Sequence, residues 1–490
     1  MTALDQAVGA PERLHPFYLM TGLGKSFKGS LGMIAGGAIL AAQGYWWTVA
    51  ALIVGVPVVS FVALYFHWRR FEYRVGANEV RIDSGILNRT HRSIPFDRIQ
   101  DVDVSQGPVA RLLGLARVKF ETGGSGGDKD DDGALAAITL SRAESLREQI
   151  RARRGAAINP GVVVEAEAAP VFAMDLRRVL LAGLFNFSLA VLAALFGITQ
   201  TLGDVAGIDF FTRRFWRQAL DAGSPLADLF MAYQLVAVVA GTVLLVGLGL
   251  ATGVIRTVLR DFRFRLDRTA TGLRRRRGLL TLTDVTLPIA RVQAAIVGSG
   301  PLRDHFGWRD LKLQSLARDE GSKGDHLVAS LARDAEVGAI LVELDWRPID
   351  TVAWQRVSPA YAWGFTALLS LFLVPALIQM MVMPLIGIVG CAVIAAVIAT
   401  RWLCWRRYRY ALDGDRLLVR SGWWKRRLII LPLANIQSVD VTESVVSRRF
   451  GAASLTLGVA SGRGYSSHGI PALGRDTAHA LRDQLLAPFA

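Results

Sequence analysis

Arg427-Leu428-Ile429-Ile430-Leu431-Pro432, then Ile436-Gln437-Ser438-Val439-Asp440-Val441, then Arg448-Arg449-Phe450-Gly451, decides the fold because the chain writes this pattern three times. Its anchors Gly422, Pro432, Gln437 and Gly451 recur 144 residues earlier (422 against 278) as Gly278, Pro288, Gln293 and Gly307. They recur again 193 residues before that (278 against 85) as Gly85, Pro95, Gln100 and Gly114. Four positions held in register twice constitute an internal repeat, and a repeat sets the architecture before any single residue does. Within each copy the apolar residues alternate, as in Ile99-Gln100-Asp101-Val102-Asp103-Val104. That is the period of a strand with one buried and one wet face.

Outward from these anchors the repeat unit completes itself. An aromatic-basic strand precedes each Gly: Phe71-Glu72-Tyr73-Arg74-Val75, Phe262-Arg263-Phe264-Arg265-Leu266 and Tyr408-Arg409-Tyr410-Ala411-Leu412. A compact turn at Gly114, Gly307 or Gly451 leads to two further strands around a Gly- or Ser-rich loop. Each unit closes on a helix announced by Ser141-Arg142, Ala332-Arg333 or Gly474-Arg475. About seven strands and one helix predict a small β-barrel whose open end the helix covers.

Before each aromatic-basic strand the chain turns apolar. Charge-free stretches run over 29–66, 179–203, 229–255 and 360–400, and about 20 apolar residues cross a bilayer. The first and last are about twice that length and break at Gln43-Gly44 and between Gln379 and Pro384, so they read as helical hairpins. The expectation is a multi-pass α+β membrane protein with about six transmembrane helices in three pairs, each pair followed by a β module. Its segments are an N-terminal stretch 1–28, a hairpin 29–66, a module 69–153, a linker 154–176, a helical pair 177–257 with an outer loop 199–228, a module 260–345, a hairpin 360–402 and a module 406–488. Composition agrees: 52% hydrophobic residues, 20% charged and a mean hydropathy of +0.34 suit a chain that alternates between lipid and water.

Six spans place both termini on one side. Of 56 basic residues, all but Arg213, Arg214 and Arg217 fall on that side, which the positive-inside rule identifies as cytoplasmic. Residues 1–24 carry Asp5, Glu12, Arg13 and His15 and lack an apolar core, so no cleavable signal is read there. The expectation is a membrane location with both termini and all β modules in the cytoplasm.

The order of helical hairpin, aromatic-x-aromatic strand, Gly, Pro, Ile/Val-Gln-x-Val and Leu/Phe-Gly resembles bacterial membrane proteins with pleckstrin-homology-like (bacterial PH, YdbT-like) domains, in three copies. Copy two departs from it at Val292-Gln293-Ala294-Ala295-Ile296. The resemblance implies a PH-like barrel with a C-terminal capping helix, a location in the bacterial inner membrane and no enzymatic activity.

Searches for catalytic and metal motifs return negatives. Gly24-Lys25-Ser26 lacks the earlier glycine and the strand of a P-loop, since Leu19 stands in the required place. Asp128 to Gly133 opens like a calcium loop, but the closing position holds Thr139 instead of glutamate. The histidines show no ligand spacing, Cys391 and Cys404 form no metal or disulfide pattern, and the spans hold no carboxylate to mark an ion path. No enzyme activity, cofactor or metal is expected. Nucleic acid is not an expected partner either: the net charge of +15 is spread along membrane-proximal segments without a reading helix.

Basic residues cluster beside the first anchor of each copy: Arg89 and Arg92; Arg274, Arg275, Arg276 and Arg277; Lys425, Arg426 and Arg427. Next to an anionic leaflet each cation would add about 1 kcal/mol of attraction. Positive-inside bias alone explains them equally well. Trp423 and Trp424 would anchor at the headgroups, as would Phe211, Phe215 and Trp216 on an interfacial helix in the outer loop. The leading expectation is a non-enzymatic scaffold that presents its modules to anionic lipid headgroups, to membrane lipids generally or to another protein. The alternative is a transporter or lipid-moving channel gated by the modules.

Overall fold

The computed structural model describes residues 11–19, 46–76, 79–85, 90–96, 99–122, 134–156, 169–186, 197, 234–270, 272–316, 325–347, 352–461 and 464–486. The first limb of the predicted hairpin 29–66 and the outer loop 199–228, with Phe211, Phe215 and Trp216, lie outside these residues, as does Arg89.

Module one opens upstream of the membrane with a two-residue strand, β1 (Glu12–Arg13). After the helix α1 (Trp46–Arg70) come β2 (Glu72–Val75), β3 (Glu79–Ser84), β4 (Thr90–Pro95) and β5 (Ile99–Gln106). A short helix α2 (Pro108–Leu112), β6 (Leu115–Thr122), β7 (Ala134–Thr139) and the closing helix α3 (Leu140–Ala156) complete it. Module two repeats the order: β8 (Phe172–Ala173), helices α4 (Leu176–Phe185) and α5 (Gln234–Asp261), β9 (Arg265–Arg268), β10 (Gly272–Arg277), β11 (Leu282–Pro288) and β12 (Val292–Ser299). Then follow α6 (Pro301–His305), β13 (Arg309–Ser315), β14 (Asp325–Ala332) and α7 (Asp334–Val342). Module three consists of β15 (Gln355–Arg356), α8 (Ala360–Ser370), α9 (Leu373–Val382), α10 (Pro384–Arg407), β16 (Arg409–Asp413), β17 (Arg416–Ser421), β18 (Arg426–Pro432), β19 (Ile436–Thr442), α11 (Val445–Arg449), β20 (Ala452–Ser461), β21 (Gly464–Gly474) and α12 (Arg475–Leu486).

Among the described residues three segments are long and apolar enough to cross a membrane: Val243–Asp261, Ala360–Val382 and Pro384–Arg407. The last two are joined through Met383 alone, and a Cβ on Gly387 would lie 2.2 Å from Met380 Cα, so glycine permits the tight return. Helices α4 and α5 also touch closely, since a Cβ on Gly183 would lie 2.5 Å from Val254 Cα and Asn186 Nδ2 donates to Thr257 Oγ1 at 3.1 Å.

The strand before each membrane excursion pairs with the strand after it. Glu12 faces Tyr73, Phe172 faces Leu266 and Gln355 faces Tyr410. In modules one and three the indole N–H of the last-turn tryptophan fixes this return: Trp68 donates to the Leu14 carbonyl at 2.9 Å and Trp405 to the Val357 carbonyl at 3.1 Å. A chain that leaves and rejoins one sheet brings the two ends of its helical excursion side by side. These upstream strands extend the modules beyond the boundaries read from sequence, because two residues carry no periodicity.

The glycine anchors have a backbone reason. Gly85, Gly278 and Gly422 adopt φ of 108°, 119° and 81°, and Gly114, Gly307 and Gly451 adopt 64°, 71° and 61°. This left-handed region is open to glycine without steric cost. Pro95, Pro288 and Pro432 are the last residues of β4, β11 and β18, where a missing N–H ends the ladder.

The chain divides into two compact units, and the division falls inside module two: residues 1–166, 174–264 and 276–285 form one, and 167–173, 265–275 and 286–490 the other. In the first unit, one core gathers Phe71, Val80, Ile82 and Ile94 from one sheet, Val102, Val118, Phe120 and Leu135 from the next, and Leu146 and Ile150 from α3. In the second unit, Leu417, Leu431, Leu455, Leu457, Ile470, Leu481 and Leu485 form the matching core. The strands of the predicted small barrel fall into separate ladders among the described residues. Module one splits into a sheet β1-β2-β3-β4 and strands β5-β6-β7 of another, with no ladder between β4 and β5 among the described residues.

The opened side of β5 is taken by the next module: Gln106, Ser105 and Val104 pair with Leu282, Thr283 and Asp284 of β11. In the second unit β12 does the same with β18, Ser299, Gly298 and Val297 facing Arg426, Arg427 and Leu428. The two joints share one register, since Gln106 and Ser299 occupy the same repeat position, as do Leu282 and Arg426. The second joint yields a sheet in the order β14-β13-β12-β18-β17-β16-β15.

Candidate functional site

Arg420, on β17, faces Leu428 of β18 in the antiparallel ladder. The same cross-strand position holds Asp83 and His91 in module one, where His91 Nδ1 lies 2.7 Å from Asp83 Oδ1. In module two it holds Arg276 and Asp284, joined as an ion pair of 3.3 Å. Module three alone sets an arginine opposite an aliphatic residue. Among the described residues Arg420 forms no ion pair, and its guanidinium lies 3.9 Å from the centroid of the Trp354 ring. Burial, with the like charges of Arg409 and Arg309 nearby, pulls its pKa below the ordinary arginine value. A group whose charged form is disfavoured in this way gains from an approaching anion.

Arg420 lines a cavity of about 760 Å³ in the second unit. The arginines around it are Arg309, Arg406, Arg407, Arg409, Arg420, Arg426 and Arg427, against the acids Asp304 and Asp334. These acids are already engaged: Asp304 pairs with Arg309 and Arg426, and Asp334 Oδ1 accepts from Arg309 Nε at 3.1 Å. Arg406 and Arg407, the last residues of span α10, bring the cavity next to the end of a membrane helix. Gly422 shapes the wall, because a Cβ there would lie 2.0 Å from the Lys425 carbonyl oxygen.

The clusters read from sequence fare differently. Arg426 and Arg427 line the cavity, whereas Lys425 is exposed in the adjoining turn beside Trp424, which is 61% exposed. The rings of Trp423 and Trp424 are 5.7 Å apart. In module two the cluster is spent inside the protein. Arg275 is fully buried and donates to the Leu327 carbonyl at 3.0 Å. Arg277 pairs at 3.0 Å with Asp261, which is itself fully buried and held by Arg260 at 2.7 Å. Arg276 shares Asp284 with Arg147 of α3, 2.9 Å away. Arg92 lies on β4 and is not among the residues that line the cavity.

Sequence reading missed Arg309, Arg406, Arg407, Arg409 and Arg420 as one site. Their positions span about a hundred residues, so a run of charge does not reveal them. The available signal was the change of partner across the repeat, acid in module two and leucine in module three. Among the described residues no cluster of His, Cys, Asp or Glu suits a metal ion.

Comparison with known proteins follows the repeat. The family described as Bacterial PH domain matches residues 26–154, 205–343 and 367–488. The chain is 24% identical to the transmembrane protein YdbT of Bacillus subtilis (strain 168) over 305 residues, 59% of this chain and 55% of that protein. It is 29% identical to the transmembrane protein YdbS of the same organism over 119 residues, 23% of this chain and 71% of that protein. The match thus spans about half the length of the first of these relatives.

Proposed function

Since the chain belongs to the bacterial PH domain family, as a membrane protein with three such domains, we propose that it binds anionic lipid headgroups at the cytoplasmic face without catalysing a reaction. The Arg420 cavity is the site. The observation that carries this reading is the uncompensated Arg420 in a cavity of seven arginines and two already paired acids, adjoining the end of α10. A phosphate there would accept from several guanidinium groups at once, the geometry in which arginine outperforms lysine. Cations at the headgroup level also draw anionic lipid by long-range attraction. Arginine stems lie along apolar surface while their heads reach the phosphates, so Leu428 and Val297 in the wall suit the aliphatic part of the side chains.

The test is retention of phosphatidylglycerol or cardiolipin by the detergent-purified protein, read by native mass spectrometry against phosphatidylcholine. Arg409→Glu with Arg420→Glu should reduce anionic lipid retention by about tenfold or more, roughly 1.4 kcal/mol or above. Equal retention by the variant and the wild-type chain would refute the assignment. A transporter role has no observation of its own in its favour among the described residues.

A further inference from the structure

Both internal joints use the same edge. β5 and β12 each offer the side not occupied by β6 or β13, and the following module fills it with β11 or β18. In module three the same edge is unfilled among the described residues, where β19 pairs with β20 alone. In module one β4, which holds the repeat position of β11 and β18, pairs with β3 alone among the described residues.

The unfilled edge leaves apolar surface that the filled edges bury. Val102 and Val104 of β5 are 2% and 8% exposed, and Ala295 and Val297 of β12 are 0% and 8%. Their counterparts Val439 and Val441 on β19 are only partly buried. Carrying the shared register onto the free edges sets Val439 opposite Ser93, Asp440 opposite Arg92 and Val441 opposite His91. An exposed acid thereby meets a cation, since Asp440 is exposed and Arg92 makes no ion pair among the described residues. Directly opposed opposite charges favour a strand pair, and an exposed edge with a row of unpaired N–H and C=O groups is a template for another strand.

We propose that β19 pairs antiparallel with β4 of a second copy of this chain, in the register of the two internal joints, so that copies join head to tail. The occupant is a second copy because the strand that fills this edge twice already is the repeat counterpart of β4, and Arg92 complements Asp440. This rests on the cytoplasmic placement of all three modules proposed above, under which a second copy in the same bilayer offers β4 on the face where β19 stands. The contact is heterologous: it leaves a free β19 and a free β4 on every dimer and permits a ring or a chain of copies. Main-chain pairing would supply the attraction and the Asp440–Arg92 contact the register.

The experiment uses full-length chains in membranes, in a Cys391→Ala, Cys404→Ala background. One tagged copy carries Val439→Cys and a second, differently tagged, carries Ser93→Cys, so that no disulfide can close within one chain. Oxidation should give a mixed dimer carrying both tags. A partner with Thr90→Cys, three positions off the register on β4, should cross-link at least several-fold less. Arg92→Asp added to the Ser93→Cys chain should reduce the mixed dimer several-fold, and Asp440→Arg on the Val439→Cys chain should restore it. Absence of the mixed dimer in chains that still bind detergent and unfold cooperatively would overturn the proposal. So would equal cross-linking at position 90. Because neither Arg92 nor Asp440 lines the Arg420 cavity, a failure here leaves lipid retention unaffected, and the reverse holds too.

Discussion

Arg276 and Arg420 stand at one position of the repeat and do opposite things. Arg276 faces Asp284 and shares that acid with Arg147, so its charge is consumed in holding module one to the strand that follows it. Arg420 faces Leu428, keeps no counter-ion among the described residues, and turns its charge toward a cavity already rich in arginine. The ladder position is the same in both places, and each holds an arginine. A run of positive charge becomes a site only where the acid across the ladder is missing. Counting cations measures the supply of charge, while pairing decides how much of it reaches solvent.

The largest effect should come from removing the acid that makes the difference. Asp284→Leu takes away the shared partner of Arg147, which is 8% exposed, and of Arg276. Breaking such a pair on one side should cost about 3 kcal/mol, read as a drop in the thermal unfolding midpoint of the detergent-solubilised protein. A change below about 0.5 kcal/mol would show that the pairing is incidental.

The backbone half of the comparison comes next. Gly422→Ala puts a methyl 2.0 Å from the Lys425 carbonyl oxygen at a φ of 81°, and should destabilise by roughly 2 kcal/mol. Gly451→Ala, also left-handed but with nothing within 4 Å, should cost less, about 1 kcal/mol. Equal losses at the two sites would remove the role given to the close carbonyl.

The converse of the first exchange sharpens the comparison at the site. Leu428→Asp supplies Arg420 with the acid that Arg276 has, and should lower anionic lipid retention about tenfold, roughly 1.4 kcal/mol, with folding retained. Unchanged retention would mean that Arg420 does not set the affinity of the cavity.

The smallest effect is a pH dependence in the second unit. His468 Nε2 donates to Gln314 Oε1 at 2.7 Å, and burial lowers the histidine pKa below its usual 6.5, with Arg427 acting in the same direction and Asp325 against it. The folded state therefore binds fewer protons than the unfolded chain once the pH drops below about 6.5. This contribution is present above that pH and is lost as pH falls through the folded value. His468→Gln should flatten the decline of the unfolding midpoint between about pH 7 and 5. A slope unchanged by the substitution would exclude His468 as its source.

Much of the fold was legible because it rests on local rules. Alternation gave the strands, positive-φ glycines stood where the repeat glycines predicted turns, and the closing helices begin where Ser141, Arg333 and Arg475 announced them. The upstream strands β1, β8 and β15 were not legible, since two residues cannot show a period and their partners lie across a membrane excursion. The open modules were not legible either, because alternation shows which face of β5 or β12 is buried but not which strand lies beside it. The cavity was read in part: Arg426 and Arg427 stand out as charge, while Arg309, Arg409 and Arg420 are single residues on separate strands.

By itself the sequence determined a threefold unit of apolar helices and β module, its turn positions and its excess of positive charge, since each depends on spacing within one copy. Only the tertiary structure decided that β5 and β12 take strands from the next module, and that Arg420 keeps its charge where Arg276 gives it up. Both depend on which residue a ladder sets opposite which, and that is fixed by pairing between segments far apart along the chain.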